Sequence, residues 1–368
     1  MTTHIAVIGA GFGDEGKGQV VDYIASKHTH DIVVRYNGGS QCGHTVVTPD
    51  NKKHIFSQIG AGAIVGLPTH LSRFMYVNPL YLMRELTVFS NTFGFIPKIT
   101  ISDKTNFIIP YDVHSNQTIE TQRGVLRHGS TGHGLFNAVK RSIWPDRCVT
   151  AKFAFTYSKK ELLEKLTYSN VLVDNISYIN SIETLQELGV TLSCDDDIVN
   201  KHSCIFEGGQ GLLLDRNSGF FPHVTPSNTG LTNILSLLSF SNKRSSITPV
   251  YVTRTFLTRH GAGPLYFPKY DSPANYEINS GDLVDDTNVY NEWQGLMRYG
   301  VLHVPQLKEA VYNDVYTASQ INSCILTTPK LAITWGNKFP NILEQLNSNF
   351  NVFSISTGKT RNTFIASS

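Results

Sequence analysis

Short apolar runs, glycine turns and amphipathic stretches alternate along this chain. Near its start, "HIAVIG" is an apolar run of strand length that leads into the glycine-rich turn "GAGFGDEGKG". An amphipathic stretch follows, with apolar residues at the spacing of one helix face, namely Val20, Val21, Tyr23 and Ile24. After it, "DIVVRY" is a second β-branched run. This order predicts a βαβ unit in which the glycine turn joins the first strand to the helix.

Further apolar runs continue the pattern. We expect strands at "FMYV", "KITIS", "SNVLVD", "SCIFEG", "SITPVYVTRTF" and "KLAIT". The charged stretches "SKKELLEKLTYS" and "VPQLKEAVYND" have helical spacing and lie between some of these runs. The repetition predicts the α/β class, with a large and mostly parallel sheet flanked by helices and with ligand loops at the carboxyl ends of the strands.

One polar segment interrupts the pattern. The segment of residues 268–298 is long, polar and weakly periodic. The chain has no internal repeat or low-complexity segment. A loop of that length in a compact chain is more often functional than a domain boundary. We therefore expect a single domain over residues 1–368, with residues 268–298 as a mobile substrate loop.

Composition narrows the class of protein. With 40% hydrophobic and 16% charged residues, the 368-residue chain has enough apolar material for a large core. The 31 basic and 29 acidic residues nearly cancel, so no overall field favours nucleic acid or an anionic membrane. No C-x-x-C pair occurs among the cysteines, which argues against a disulfide framework and a zinc site. They are Cys42, Cys148, Cys194, Cys204 and Cys324. We find no signal peptide and no run of 18 apolar residues, and expect a cytoplasmic protein.

The turn "GFGDEGKG" fits two nucleotide motifs. Its first part matches the dinucleotide turn G-x-G-x-x-G, and the whole nearly matches G-x-x-x-x-G-K-[ST], with Gly18 in place of the hydroxyl residue. A dinucleotide turn needs no charge, yet Asp14, Glu15 and Lys17 all fall inside this one. A lysine after the last glycines suits a nucleoside triphosphate, so phosphotransfer is favoured over a nicotinamide cofactor.

Other loops have similar chemistry. "GGSQCGHT" ends on His44 beside a predicted strand, and "HGSTGHG" and "SISTG" carry hydroxyls next to glycines, as anion-binding loops do. "FEGGQG" places Gln210 among glycines after an apolar run, where an amide can bind a purine edge. Singly, each loop could be an ordinary turn.

Taken in order, these segments resemble the adenylosuccinate synthetase family. The matching pieces are "GFGDEGKG", "GGSQCGHT", "GSTGHG", "FEGGQGLLLD", "FFPHVTPSNT", "TRHGAGP" and "SISTG", and they extend from residue 5 to residue 363. The resemblance implies the family's fold, a large central, mostly parallel sheet flanked by helices with a P-loop-like nucleotide turn. It also implies a homodimer in which Lys140 or Arg141 contacts the nucleotide phosphate of the neighbouring subunit.

The resemblance implies a carbon–nitrogen ligase. Members transfer a γ-phosphoryl group to the 6-oxygen of a purine nucleotide, and the amine of L-aspartate then displaces that phosphate. Asp14 matches the base that takes the N1 proton, and His44 matches the acid that hydrogen-bonds the transferring phosphoryl group. Asp14 and the Gly43 carbonyl match the ligands of Mg²⁺.

The resemblance also implies three groups of binding residues. Those for the triphosphate are Gly13, Asp14, Glu15, Gly16, Lys17, Gly18, Gln19, Gly43, His44, Thr45, Asn337, Ser356, Thr357 and Gly358. Those for the purine monophosphate are Asp14, Gln41, Ser130, Thr131, Lys140, Arg141, Gln210, Thr225 and Gly261. Those for aspartate are Thr287, Asn288, Val289, Gln294 and Arg298.

The chain departs from the ordinary family pattern around its ligands. Of the arginine run that clamps aspartate only Arg298 remains, and Asn337 replaces the carboxylate that reads guanine in GTP. Gln41 stands where the ordinary pattern has an asparagine beside the substrate base. Because an amide loses the charge-assisted contact to guanine, we expect ATP or dATP as the phosphate donor rather than GTP.

Similar departures occur in the short viral and archaeal 2-aminoadenylosuccinate synthetases, which use dGMP. Some of those relatives replace the base carboxylate, whereas this chain keeps Asp14. The sequence therefore predicts dGMP, L-aspartate and ATP or dATP as ligands, with 2-aminoadenine synthesis for viral DNA as the purpose and the host cytoplasm as the place. An ordinary synthetase acting on IMP and GTP, a non-catalytic nucleotide-binding protein and, more remotely, a nicotinamide dehydrogenase stay open as alternatives.

Overall fold

A computed structural model describes residues 2–167, 171–239, 241, 243–268, 270, 277–278, 283, 290–321 and 324–366. The strands are β1 (Thr2–Gly9), β2 (Ile32–Arg35), β3 (His44–Val47), β4 (Lys53–Phe56), β5 (Thr69–Leu71), β6 (Tyr76–Val77), β7 (Ile99–Ser102), β8 (Asn106–Phe107), β9 (Thr191–Ser193), β10 (Cys204–Gly211), β11 (Ser245–Arg254), β12 (Phe256–Arg259), β13 (Glu277–Ile278), β14 (Arg298–Val301), β15 (Ile325–Leu326), β16 (Lys330–Thr334), β17 (Val352–Ser356) and β18 (Phe364–Ala366). The α-helices are α1 (Lys17–Ala25), α2 (Pro79–Phe93), α3 (Pro110–Arg123), α4 (Leu135–Ser142), α5 (Ala151–Thr156), α6 (Lys159–Leu166), α7 (Asn175–Glu187), α8 (Asp195–Lys201), α9 (Thr232–Leu238), α10 (Val304–Ser319) and α11 (Pro340–Asn349).

The large sheet confirms the predicted α/β class. Within the described residues its strand order is β18-β17-β16-β11-β1-β10-β2-β5-β7-β9, with β15 paired to β11 off this path. The pairs in this sheet are parallel except for β17 with β18. The carboxyl ends of the parallel strands therefore meet along one edge, where the glycine-rich loops emerge.

Side chains along the central strands point alternately to the two faces of the sheet, and each face has its own hydrophobic core. On β1, Val7 packs into one core with helices α1, α2 and α7, whereas Ala6 and Ile8 pack into the other with α8 to α11. Successive side chains of a strand point to opposite faces, so helices cover both faces of the sheet. The near-continuous burial of β1 and β10 follows from this double cover.

Three features differ from the sequence-based expectations. β10 lies between β1 and β2, so the two strands of the first βαβ unit are parallel but not adjacent. The predicted strand in "SNVLVD" is wrong for its described part, residues 171–174, which have no strand. The run "FMYV" forms only the two-residue β6.

Smaller sheets lie beside the large one. The strand β14 pairs with β12 and β13, β3 pairs with β4, and β6 pairs with β8. Most of the predicted substrate loop 268–298, including Thr287, Asn288 and Val289, lies outside the described residues. Among the helices that the structure describes, none combines the length and apolarity needed to span a bilayer.

Candidate active site

The glycine-rich loop joins β1 to α1 at the carboxyl edge of the sheet. Gly13, Asp14 and Gly16 have φ angles of 100°, 61° and 93°, in the left-handed region. A Cβ on Gly16 would lie 2.9 Å from Thr334 Cγ2, and the Thr334 hydroxyl donates to the Glu15 carbonyl at 2.7 Å. The end of β16 therefore packs directly against the loop and fixes its conformation.

The side chain of Glu15 lies inside the loop and hydrogen-bonds to its backbone. Its Oε1 accepts hydrogen bonds from the backbone N–H groups of Gly11 and Gly13 at 3.0 and 2.8 Å, and its Oε2 lies 2.7 Å from Lys17 Nζ. Both side chains are buried. A triphosphate that bound the Gly13 N–H group and Lys17, as the sequence predicts, would compete with this carboxylate.

His44 belongs to a buried charged cluster. Its Nδ1 lies 2.6 Å from Glu207 Oε1, while Glu207 Oε2 accepts from the Ala61 N–H group at 2.8 Å and Arg35 Nη1 lies 3.8 Å from Glu207 Oε1. A carboxylate only accepts hydrogen bonds, so Nδ1 of His44 carries the proton and Nε2 is left for a ligand.

The electrostatics of this cluster favour a neutral imidazole beside an ionised carboxylate. Burial lowers the pKa of His44, and the hydrogen bond to Glu207 offsets part of that effect. Burial by itself would raise the pKa of Glu207, but the Arg35 charge and the His44 hydrogen bond hold that pKa below its ordinary value. Sequence reasoning missed Arg35 and Glu207, although a glutamate inside the apolar run "CIFEG" was a signal.

Several residues predicted to contact the purine have buried acceptors. Gln210 is held at φ 56°, and its Nε2 donates to Cys42 Sγ at 3.2 Å. The Oε1 atoms of Gln41 and Gln210 and the Thr225 hydroxyl are buried without a hydrogen-bond partner among the described residues. Unpartnered buried polar atoms are costly, so this group of predicted purine contacts has the character of a ligand site.

Two glycine loops meet near Asp14. A Cβ on Gly261 would lie 2.8 Å from Gly129 Cα, so the loop after β12 touches the "HGSTGHG" loop. In the latter, Ser130 Oγ donates to Asn116 Oδ1 at 2.9 Å, and Thr131 is partly exposed. Sequence reasoning also missed His260, whose Nε2 lies 3.6 Å from Asp14 Oδ2.

The two basic residues predicted as a phosphate clamp behave differently. Arg141 is buried and binds Asp112 with its Nε and Nη2 atoms, and its Nη1 donates to the Arg147 carbonyl at 2.7 Å. That guanidinium is therefore engaged inside its own chain. Lys140 is exposed, with its Nζ 5.2 Å from the centre of the Phe136 ring.

The described part of the predicted aspartate site is electropositive. Arg298 Nη2 donates to the carbonyls of Gly261 and Gly263, and Gln294 Nε2 donates to the Gly129 carbonyl at 2.6 Å. Burial, and then the charge of Arg298, lowers the pKa of the neighbouring Arg259 to about 10. Two cationic side chains so close together favour a ligand that carries carboxylates.

The segment predicted to read the donor base lies next to the C-terminal loop. The Gly336 N–H group donates to the Ser356 carbonyl at 2.9 Å, and Asn337 and Thr357 are exposed. Gln19 Nε2 donates to the Gly358 carbonyl at 2.8 Å. The amide of Gln19 therefore links α1 to this loop.

Thr45, Gly18 and Gly43 complete the predicted triphosphate set. A Cβ on Gly18 would lie 2.8 Å from His44 Cβ, which brings the start of α1 against β3. Thr45 is partly buried and pairs with Ile55, and Gly43 is exposed.

Two oxygen groups at the loop fit a magnesium ion. They are the Gly43 carbonyl and the Asp14 carboxylate, and the Asp14 side chain is 27% exposed. Mg²⁺ prefers hard oxygen donors of this kind, which it binds together with substrate phosphates.

Comparison with known proteins identifies the family. The family model described as adenylosuccinate synthetase matches residues 6–324. The chain belongs to the adenylosuccinate synthetase family. Adenylosuccinate synthetase of Borrelia duttonii (strain Ly) is 32% identical over 279 residues, covering 70% of this chain and 63% of the relative. That of Halothermothrix orenii is 29% identical over 334 residues, covering 83% of this chain and 73% of the relative. The match to the Borrelia relative thus spans less than two thirds of its length.

Solved structures confirm the adenylosuccinate synthetase fold. The fully ligated adenylosuccinate synthetase from Plasmodium falciparum superimposes with a TM-score of 0.73 at 17% identity, covering 99% of this chain and 100% of that one. The succinoaminodeoxyadenylate synthetase (PurZ) of cyanophage S-2L, bound to dGMP and dATP as an energy donor, gives a TM-score of 0.68 at 15% identity. The latter match covers 100% of this chain and 95% of the phage protein.

Proposed function

We propose that this protein is a ligase that joins L-aspartate to the 6-position of a purine nucleotide. The observation that carries the proposal is the buried His44–Glu207 pair, which lies against the start of α1 and so beside the loop that holds Asp14. A fixed histidine tautomer at the start of β3 and a partly exposed carboxylate on the loop before α1 are the acid and base that the reaction needs. Membership of the family supports the same chemistry.

The residues have distinct parts in the reaction. Asp14 takes the N1 proton, which moves electron density to O6. That oxygen attacks the γ-phosphorus as the bond to the β–γ bridging oxygen breaks, and the nucleoside diphosphate leaves. His44 hydrogen-bonds the transferring phosphoryl group through Nε2 and stabilises its charge. The neutral amine of aspartate then attacks C6. The C6–O6 bond breaks, phosphate leaves, and one proton of the amine is lost to solvent. Mg²⁺ held by Asp14 and the Gly43 carbonyl would neutralise phosphate charge.

We favour dGMP as the purine substrate, with 2-amino-2'-deoxyadenylosuccinate as the product. Guanine presents three N–H bonds on its N1 edge, and hypoxanthine presents one. The unpartnered acceptors Gln41 Oε1 and Gln210 Oε1, together with the Asp14 carboxylate, suit the larger number of donors. The cyanophage protein of the same fold, which was solved with dGMP, supports this assignment.

IMP is the second candidate. The curated relatives above are adenylosuccinate synthetases, and the chain keeps the Asp14 carboxylate that some of the 2-aminoadenylosuccinate enzymes replace. The two candidates share every step of the mechanism and differ in what the pocket must accept at C2 of the base. Substrate comparison therefore separates them without affecting the ligase proposal.

We also propose ATP or dATP as the phosphate donor. Asn337 is exposed at the end of the segment that reads the donor base, and Trp335 lies beside it with Arg254 over its ring. An amide at position 337 lacks the charge that makes a bidentate contact to guanine strong. We further propose a homodimer in which Lys140, exposed on α4, contacts the phosphate of the neighbour's purine nucleotide.

The first prediction ranks the candidate purine nucleotides and phosphate donors by kcat/KM in one set of reactions. Mass spectrometry and steady-state kinetics with IMP, GMP, dIMP and dGMP, each with aspartate, Mg²⁺ and ATP, dATP or GTP, should give the highest kcat/KM for dGMP. The expected margin over IMP is roughly tenfold or more, the cost of leaving a buried acceptor unpaired, and ATP should exceed GTP by a similar factor. A higher kcat/KM for IMP would make the protein an ordinary adenylosuccinate synthetase.

A further inference from the structure

His260 is a histidine at the edge of the site to which the mechanism above gives no role. It follows β12, and its Nε2 lies 3.6 Å from Asp14 Oδ2. The two side chains are 21% and 27% exposed, so the contact is only partly open to solvent. We propose that His260 is a positioning residue, which holds the carboxylate of Asp14 toward the purine N1 proton. The proposal rests on the ligase function proposed above.

The backbone around His260 is held on both sides. Before it, the Thr258 hydroxyl donates to the Gly13 carbonyl at 2.8 Å, which ties β12 to the loop that carries Asp14. After it, Gly261 packs against Gly129 and its carbonyl accepts from Arg298 at 3.0 Å. The approach of His260 to Asp14 is thus set by contacts of its neighbours and not by a freely rotating loop.

The two acidic residues of the loop have separate basic partners. Glu15 is paired with Lys17 at 2.7 Å inside the loop, and Asp14 lies against His260 outside it. A carboxylate on a backbone at φ 61° would otherwise keep several side-chain rotamers. At 3.6 Å the contact is longer than a hydrogen bond, as contacts between catalytic groups often are before the substrate binds. An N–H donor that closes on this oxygen when the purine nucleotide binds would select the rotamer that directs the other oxygen into the site.

The second nitrogen of His260 points to the same arrangement. Its Nδ1 is buried and has no hydrogen-bond partner among the described residues. With Nε2–H directed at Asp14, Nδ1 keeps a lone pair in a place that is closed to bulk solvent. This nitrogen is therefore available to accept a hydrogen bond from a ligand or a water at the edge of the site.

The kinetic test compares side chains with and without a donor of the right length. His260→Gln keeps an N–H group at a similar reach, His260→Asn has the same amide on a shorter side chain, and His260→Phe keeps the ring without a donor. With the purine nucleotide that the wild type uses best, we expect kcat to fall roughly ten- to hundredfold in the Asn and Phe variants and KM to change little. The Gln variant should retain most of the wild-type kcat. Equal losses in the Gln and Asn variants, or no loss in either, would overturn the proposal.

A second measurement does not depend on turnover. In protein labelled with [¹⁵N]histidine, the imidazole signals of His260 are assigned by their loss in His260→Gln. We expect Asp14→Asn to shift the Nε2 signal of His260 and to leave those of His303, at the start of α10, unchanged. An unshifted His260 signal would overturn the positioning role. Absence of wild-type turnover with every purine nucleotide would instead refute the ligase function, so the two failures are distinguishable.

Discussion

At the scale of single residues, the chemistry of the site depends on where buried charges find partners. His44 has one tautomer because Glu207 accepts from its Nδ1, and Glu207 is ionised because Arg35 and the Ala61 N–H group stabilise its charge. Glu207 is fully buried, and we propose that it acts by orienting His44 toward the ligands.

A substitution at Glu207 tests this orientation. In Glu207→Gln the side-chain shape persists, but the charge that stabilises a hydrogen-bonded His44 is lost, and Gln can also present an N–H group to Nδ1. We expect kcat to fall roughly ten- to hundredfold, with the KM for the purine nucleotide nearly unchanged. Steady-state kinetics at saturating aspartate and nucleoside triphosphate measures both quantities.

Glu85 provides the matched control for Glu207. It is also buried near Arg35, but its carboxylate accepts from the N–H groups of Ser57, Gln58 and Ile59 and not from His44. Burial raises its pKa to about 7, with those hydrogen bonds and Arg35 opposing the shift. Glu85→Gln should therefore leave kcat close to that of the wild type. A similar loss of kcat in both variants would assign the effect to general packing.

At the scale of elements, the junction between β1 and α1 is a turn whose shape another strand imposes. Gly16 begins the helix in the left-handed region and faces Thr334 at the end of β16. Gly66 has a similar φ of 86° after a short 3₁₀ turn, but no atom beyond its own residue and its two chain neighbours lies within 4 Å of where its Cβ would be. Comparing substitutions at the two glycines therefore distinguishes the cost of a left-handed backbone from the cost of a steric contact with another strand.

Alanine at these two glycines should have unequal effects. Gly66→Ala should lower the free energy of unfolding by about 1–2 kcal/mol, the cost of a left-handed alanine. Gly16→Ala should lower it by a further ~1–3 kcal/mol, because the new methyl group overlaps Thr334, and should also weaken triphosphate binding. Urea titration and calorimetry with ATP measure the two effects. Identical losses of stability and full ATP affinity in Gly16→Ala would contradict the steric account.

At the scale of the whole molecule, one sheet separates two cores. Leu86 on α2 belongs to the core that includes Val7, and Leu235 on α9 belongs to the core that includes Ala6 and Ile8. Because both cores share the same central strands, disrupting either should destabilise the sheet as a unit. We propose on this basis that residues 1–368 form one folding domain.

Two core variants test the single domain. Leu86→Ala and Leu235→Ala should each lower the free energy of unfolding by about 2–5 kcal/mol in a single transition with an unchanged urea m-value. Val88→Ala, on the same helix as Leu86 but 56% exposed, is the control and should change it by less than about 0.5 kcal/mol. Circular dichroism and tryptophan fluorescence should report the same midpoint. Two separate transitions, with each variant shifting only one, would indicate two domains.

The sequence by itself determined the local elements and the chemistry available in the loops. Alternating apolar runs predicted β1, α1, β2, β7, β10, β11, β16 and α10, because side-chain periodicity depends only on neighbours along the chain. The glycines and charges of "GFGDEGKG" likewise predicted a phosphate loop, since both are properties of a short segment. The resemblance of its motifs predicted the family.

Only the tertiary structure decided which groups meet. The insertion of β10 between β1 and β2 brings Glu207 to His44, although 163 residues separate them along the chain. The internal pair of Arg141 with Asp112 also depends on packing, because a buried charge needs a compensating partner. The contact of His260 with Asp14 needs β12 tied to the first loop. These pairings depend on strand order and packing, which no local pattern specifies.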